Sequence, residues 1–176
     1  MNNYKVNSQK YWEKRFESDD WKINRGQEQT HYFYTILTRL LPQWIIHDIK
    51  SNNLKVYDFG CAEGQGMPLL QEKLGSNIIG IDFSSSAIEN AKNNYPQYNF
   101  EIGDITAFKK DIDVAILSNI IEHFFNPYEI VKKLSQNISK YLIILVPFEE
   151  KDLMAEHEHD FTYNNIPILI NEFQLV

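Results

Sequence analysis

The sequence predicts a doubly wound α/β fold, a mostly parallel sheet with helices on both faces. Three observations carry this. From residue 54 onward, short apolar runs alternate with stretches of helical spacing. The apolar runs are continuous rather than alternating, as in strands buried on both faces. Three of the seven glycines in the chain fall within seven positions, directly after the first such run.

The elements follow in order. Residues 1–50 read as a helical cover segment. Tyr11, Trp12 and Phe16 fall at helical spacing. So do Phe33, Ile36, Leu37, Leu40 and Leu41, in a longer helix expected to run on past Pro42 through Trp44-Ile45-Ile46. Asp19 to Gly26 reads as a loop between them. Residues 51–176 read as the sheet domain, the two segments forming one structural unit. Strands are expected at 54–59, 77–83, 98–102, 113–118 and 140–148. Helices are expected at about 65–74, 84–94 and 127–137. A last helix is expected at 163–172, with 173–176 opening a sixth strand. A sheet ending there is incomplete and leaves a bare strand edge, which a second copy of the chain could cover as a homodimer.

Composition narrows the function. The 176 residues are 43% hydrophobic and 14% aromatic, enough for a real core. The net charge of -7 argues against nucleic-acid backbone as the partner, since phosphate binding wants Lys and Arg. Cys61 is the lone cysteine, so no internal disulfide forms. The N-terminal residues MNNYKVNSQKYW do not read as a signal peptide, and no apolar run is long enough for a bilayer. A soluble cytoplasmic protein is the expectation, with no membrane partner.

The chemistry concentrates where open α/β sheets bind ligands, at the carboxyl ends of the strands. VYDFGCAEGQG, residues 56–66, places Asp58, Gly60, Cys61, Ala62, Gly64 and Gly66 between the first strand and its helix. Bare backbone there turns tightly and approaches a ligand closely. Asp82 ends the second strand in IIGIDFS, where a carboxylate accepts from both hydroxyls of a ribose. Asp104 follows the third strand in FEIGDIT, where it can accept from an exocyclic amine such as that of adenine. The glycine spacing is not the G-x-G-x-x-G of dinucleotide enzymes, which opposes a nicotinamide-dependent oxidoreductase.

With these residues in register the chain resembles the class I S-adenosylmethionine-dependent methyltransferases, whose fold is Rossmann-like. VYDFGCAEGQG matches the family's glycine-rich first motif, with Ala62 where many members have glycine. IIGIDFS, GDIT and LSNIIEHFFNP match the three segments that follow. YWEKRFESDDW and GQEQTHYF resemble the N-terminal cover of small-molecule members. The resemblance implies S-adenosylmethionine as cofactor. Gly60, Ala62 and Gly64, with Cys61 among them, would shape the loop around its methionine and ribose, and Asp58 would orient that loop. Asp82 would hold the ribose, with Phe83 against the adenine. Gly103, Asp104 and Ile105 would meet the adenine. Ser118 and Asn119 would line the methionine side, and Tyr11 and Arg25 would reach in from the cover.

Transfer from an activated sulfonium needs alignment and exclusion of water, with a general base if the acceptor is a hydroxyl. Glu122, His123, His157 and His159 are the candidates for that base. His157 and His159 lie in AEHEHDFTY, where alternate residues of an extended segment would share a face. A solvated charged loop, a substrate-facing role and a metal site are all open readings of that cluster; no metal is assigned. Cys61 reads as a buried filler rather than a nucleophile. LSNI stands where DNA amino-methyltransferases carry an Asn-Pro-Pro-Tyr type of signature, so a small-molecule acceptor, methylated on O or N, fits better. A sugar, cell-surface or secondary-metabolite intermediate is the acceptor class the N-terminal segment suggests. A cofactor-binding protein without turnover is the competing reading.

Overall fold

The computed structural model describes residues 4–75 and 77–176. Its five central strands are β1 (Val56–Phe59), β2 (Ile78–Asp82), β3 (Asn99–Ile102), β4 (Ile112–Ser118) and β5 (Ile138–Leu145). They form one parallel sheet in the order β3-β2-β1-β4-β5. Helices α5 (Met67–Leu74), α6 (Ser85–Asn94) and α7 (Pro127–Ser135) cross between strands. No helix among the described residues is long and apolar enough to cross a membrane.

The period-two geometry of a strand explains the continuous apolar runs. In β4, Val114 and Ile116 face one core with Leu70, Leu74, Ile88 and Ala91. Ala115 and Leu117 face the other, with Val131 and Leu134 of α7. Both faces are thus covered, and Asp113 near its start is the one position of the strand left partly exposed. Helix starts are written locally. The Ser84 hydroxyl accepts from the Ala87 N–H at 3.1 Å to cap α6, and Pro127 occupies the first turn of α7, where its missing N–H costs nothing.

Before the sheet come α1 (Gln9–Glu17), α2 (Asp20–Ile23), α3 (Gly26–Leu40) and α4 (Gln43–Ser51). Two expectations are corrected here. The long helix does not continue past Pro42. Leu41 is held extended at φ -57 and ψ 125, as the residue before a proline prefers, and α4 starts afresh. The 19–26 segment is not all loop: its one-turn α2 swings Trp21 onto Phe16, with ring centroids 5.4 Å apart.

The C-terminal expectations are also corrected. Residues 163–172 form no helix, and 173–176 do not extend the sheet. Asn165 Nδ2 donates to the Asp160 carbonyl, and its Oδ1 accepts from the Thr162 N–H at 2.8 Å, local bonds that compete with a helix. Pro167 removes another donor. The chain then forms a hairpin, β6 (Leu169–Ile170) against β7 (Phe173–Gln174), turning through Asn171 at φ 51. β5 ends at Leu145, short of the expected Phe148, because Pro147 cannot donate to the ladder. Among the described residues β5 has β4 as its one neighbour in the sheet and so forms an edge.

Candidate cofactor and acceptor site

Register sets the site. Phe59 pairs with Ile81 on one side and Leu117 on the other, and Asp82 pairs with Ile102. Gly60, Asp82, Gly103 and Ser118 therefore stand together at the carboxyl ends of four neighbouring strands. Strand order reverses between β1 and β4, the crevice where such sheets take ligands. A cavity of about 670 Å³ opens there, within the usual range for a small-molecule site. Trp12, Phe16, Trp21 and Phe33 of the helical cover form its apolar wall.

The glycines answer to separate constraints. Gly60 sits at φ +72, and a Cβ there would lie 1.9 Å from Ile120 Cδ1. Its N–H and that of Cys61 both donate to the Ile81 carbonyl, at 2.7 and 3.0 Å, which folds the loop back over β2. Gly66 makes room for the Tyr34 ring, which a Cβ would meet at 2.5 Å. The Tyr34 hydroxyl donates to Asp58 Oδ1 at 2.6 Å. Asp58 is fully buried and lies off the cavity wall; burial lifts its carboxyl to about 7. It therefore ties the glycine loop to α3, and does so from below.

Asp82 lies in the wall itself. Its Oδ2 accepts from the Ala62 N–H at 3.1 Å and its Oδ1 from the Ser84 N–H at 2.9 Å. Burial lifts this carboxyl to about 6, against the pull of those backbone donors. Each oxygen retains a further acceptor position. Phe83, Gly103, Asp104, Ile105, Ser118 and Asn119 line the same cavity, as do Gly60 and Ala62. Asp104 Oδ1 is occupied by the N–H and hydroxyl of Thr106, both at 2.8 Å.

Other expected residues fall elsewhere. Cys61 packs over Gly80, where an added Cβ would meet its Sγ at 2.9 Å, so it fills the core behind the loop. Gly64 faces Phe100 and Tyr95 rather than the cavity. Arg25 stands at the start of α3 in the left-handed region, outside the lining. Tyr11 donates to Glu156 Oε1 at 2.7 Å and also lies outside the lining. The cover residue that does reach in is Arg15. It bonds Glu156 at 3.0 Å and Asp20 at 2.9 Å, and its guanidinium lies 5.2 Å from the Trp12 ring centre. The sequence signal was available: Arg15 follows Tyr11 and Trp12 at i+4 and i+3 on one helix face.

Glu122, His123 and His157 gather at the other end of the cavity. The rings of His123 and His157 are 5.3 Å apart. His123 Nδ1 lies 2.9 Å from the Glu156 carbonyl, and His157 Nδ1 lies 2.6 Å from Glu150 Oε2. Glu122 is buried with neither carboxylate oxygen bonded, and burial lifts it to about 8. His159 does not share the face of His157. A turn bonds the His157 N–H to the Met154 carbonyl and breaks the alternation, and the His159 ring packs 4.7 Å from Phe161. Sequence reasoning also missed Glu13, whose Oε1 takes the Ser85 hydroxyl at 2.7 Å and the Ser86 hydroxyl at 2.7 Å, docking α1 on the start of α6.

Comparison with known proteins agrees with this geometry. Residues 50–174 match the family model described as a methyltransferase domain. A ubiquinone biosynthesis O-methyltransferase of Pelagibacter ubique is 29% identical over 151 residues, 77% of this chain and 61% of that protein. The magnesium protoporphyrin IX methyltransferase of Synechocystis PCC 6803 superposes with a TM-score of 0.60 at 16% identity, covering 85% of this chain and 80% of that one. A sugar N-methyltransferase of Streptoalloteichus sp. ATCC 53650 gives 0.58 at 12%, covering 88% and 59%. The chain thus spans about three fifths of the curated relative's length. With the family model matched over most of its residues, on a parallel sheet of this strand order, the chain belongs to the methyltransferase-domain family of class I, S-adenosylmethionine-dependent folds.

Proposed function

We propose that this chain is an S-adenosylmethionine-dependent methyltransferase acting on an O or N atom of a small molecule. The observation that carries this is the buried Asp82 carboxylate, set in one row with Gly60 and Ser118 and open to a cavity with a second cluster of acceptor atoms at its far end. The residues fit the cofactor: Gly60 supplies bare backbone where a Cβ has no space, and Asp82 keeps acceptor positions for two ribose hydroxyls. When bound, S-adenosylmethionine supplies a methyl group made electrophilic by its sulfonium.

The remaining work falls to this chain. Asp82 holds the ribose. Phe83, Asp104 and Ile105 border the adenine, and Ala62, Ser118 and Asn119 border the methionine moiety. Trp12, Phe16 and Trp21 close the cavity against water, which would otherwise compete as acceptor. Glu122, His123 and His157 face the acceptor and orient its nucleophilic atom. The names of the relatives, an O-methyltransferase and a sugar N-methyltransferase among them, support a small acceptor of either atom type.

The test is incubation with methyl-labelled S-adenosylmethionine and a panel of phenols, sugars, amino sugars and amines, reading both labelled product and S-adenosylhomocysteine. Label transfer to a panel member, absent with Asp82→Ala, is expected. Tight cofactor binding with no turnover on any acceptor would point to a binding protein instead.

A further inference from the structure

We propose that Glu122, His123 and His157 form a site for a divalent transition-metal ion, with zinc as its best-matched occupant, at the acceptor end of the cavity. The three residues each offer one ligand atom, and those atoms lie within 4.8 Å of one another.

The hydrogen bonds around the two histidines show which ring nitrogens are free to ligate. His123 Nδ1 meets a carbonyl oxygen, that of Glu156, at 2.9 Å. A carbonyl only accepts, so Nδ1 carries the proton and Nε2 presents a lone pair. His157 Nδ1 meets Glu150 Oε2 at 2.6 Å, which fixes the same tautomer. An imidazole oriented by a carbonyl or carboxylate on its other nitrogen is the usual outer support of a metal ligand. Glu122 adds a buried carboxylate with no hydrogen-bond partner on either oxygen. Three potential ligand atoms thus converge, and a cation there would displace the proton that burial favours on Glu122. Arg15, in the same cavity wall, is engaged by Asp20 and Glu156 and does not supply that cation.

The site is also held in place by the fold. Glu122 and His123 lie in a one-turn 3₁₀ segment, Ile121–His123, after β4, and His157 lies in the segment after β5. The Glu122 carbonyl accepts from the N–H groups of Glu158 and His159, at 2.8 and 3.2 Å. Asn7 Nδ2 bonds the carbonyls of Glu156 and His123, at 2.7 and 3.2 Å. The two segments are therefore joined by backbone bonds without any ion. Two imidazoles and one carboxylate match zinc and its first-row neighbours better than magnesium or calcium. Three protein ligands leave a position open toward the cavity, where a hydroxyl of the acceptor could bind and become more acidic. The site stands on this geometry alone; only that last consequence rests on the methyl-transfer reading.

The test uses the full chain, stripped with a chelator and titrated with zinc chloride by calorimetry, then with cobalt(II) followed by visible absorption, all without cofactor. One equivalent of zinc and the intense visible bands of a four- or five-coordinate cobalt site are expected. Glu122→Gln and His157→Ala should each weaken zinc binding more than tenfold, and Glu150→Gln, acting through His157, about tenfold or more. His31→Ala, at an exposed histidine outside the cavity, should change nothing. Circular dichroism confirms that each variant is folded. No stoichiometric zinc in the parent chain, or equal affinity in Glu122→Gln and His157→Ala, overturns the proposal. S-adenosylmethionine titrated in the presence of chelator reports on the cofactor reading separately.

Discussion

Tyr34→Phe is the sharpest probe of how the glycine loop is held. The substitution removes one hydroxyl and leaves the ring that Gly66 accommodates. Asp58 then loses its single side-chain partner, since its other oxygen has none. In the parent protein, burial lifts Asp58 from an ordinary 3.8 to about 7, while the Tyr34 hydroxyl pulls in the opposite direction. The native state therefore binds more protons than the unfolded chain between about pH 4 and 7. Stability from this group is complete below pH 4 and is lost as pH climbs through 7, by on the order of 4 kcal/mol in all. Without the hydroxyl the native-state value rises further, so the loss continues to higher pH. At pH 5.5, where Asp58 is neutral, Tyr34→Phe should cost about 1 kcal/mol, the worth of one buried neutral bond. At pH 8.5 it should cost about 2–3 kcal/mol, because a charged acceptor has been abandoned. Urea unfolding at the two pH values measures both. Equal costs at the two values, or a neutral effect at both, would refute the Tyr34–Asp58 bond as the tie between loop and cover.

Other predictions follow from single contacts. Gly60→Ala forces a Cβ onto Ile120 in a left-handed conformation and should cost upward of about 1 kcal/mol while abolishing cofactor binding, read by unfolding and titration. Cys61→Ala should cost about 1 kcal/mol through the lost Sγ contact and leave cofactor affinity intact, because that sulfur packs on Gly80 behind the loop. Glu13 has its carboxyl lowered from 4.5 to about 2 by the Ser84, Ser85 and Ser86 donors, which outweigh burial. Its contribution is thus present above about pH 4.5 and lost as pH falls toward 2. Hydrogen exchange should show α1 loosening over that acid range in the parent and already loose at neutral pH in Glu13→Gln.

The residues divide clearly by what a sequence can carry. β1, β2 and β4 were legible because each is buried along most of its length and reads as a mostly apolar run; the edge strands β3 and β5 are only partly buried and mix polar residues into theirs. Gly60, Asp82, Gly103 and Ser118 were legible because a parallel sheet brings the ends of successive strands to one edge. Arg15, Glu13 and Glu122 were less so. Their roles depend on partners such as Glu156, Ser86 and the His157 segment, tens of residues away; the helix face that Arg15 shares with Tyr11 and Trp12 was readable, but not those partners. His157 and His159 misled for a different reason: the alternation argument assumes an extended backbone, and the turn at Ala155-Glu156 breaks it. The C-terminal helix failed on Asn165 and Pro167, whose local chemistry disfavours a helix, and on Ile166, Ile168 and Ile170, whose alternation is that of a strand.

The central claim is that the row built around Asp82 binds S-adenosylmethionine. Calorimetric titration of the purified chain with S-adenosylmethionine, S-adenosylhomocysteine and NAD, repeated on Asp82→Ala, tests it most directly. Binding of the first two at one site, lost in the variant, with no heat from NAD, is the predicted result. Binding that survives in Asp82→Ala, or a preference for NAD, would contradict it.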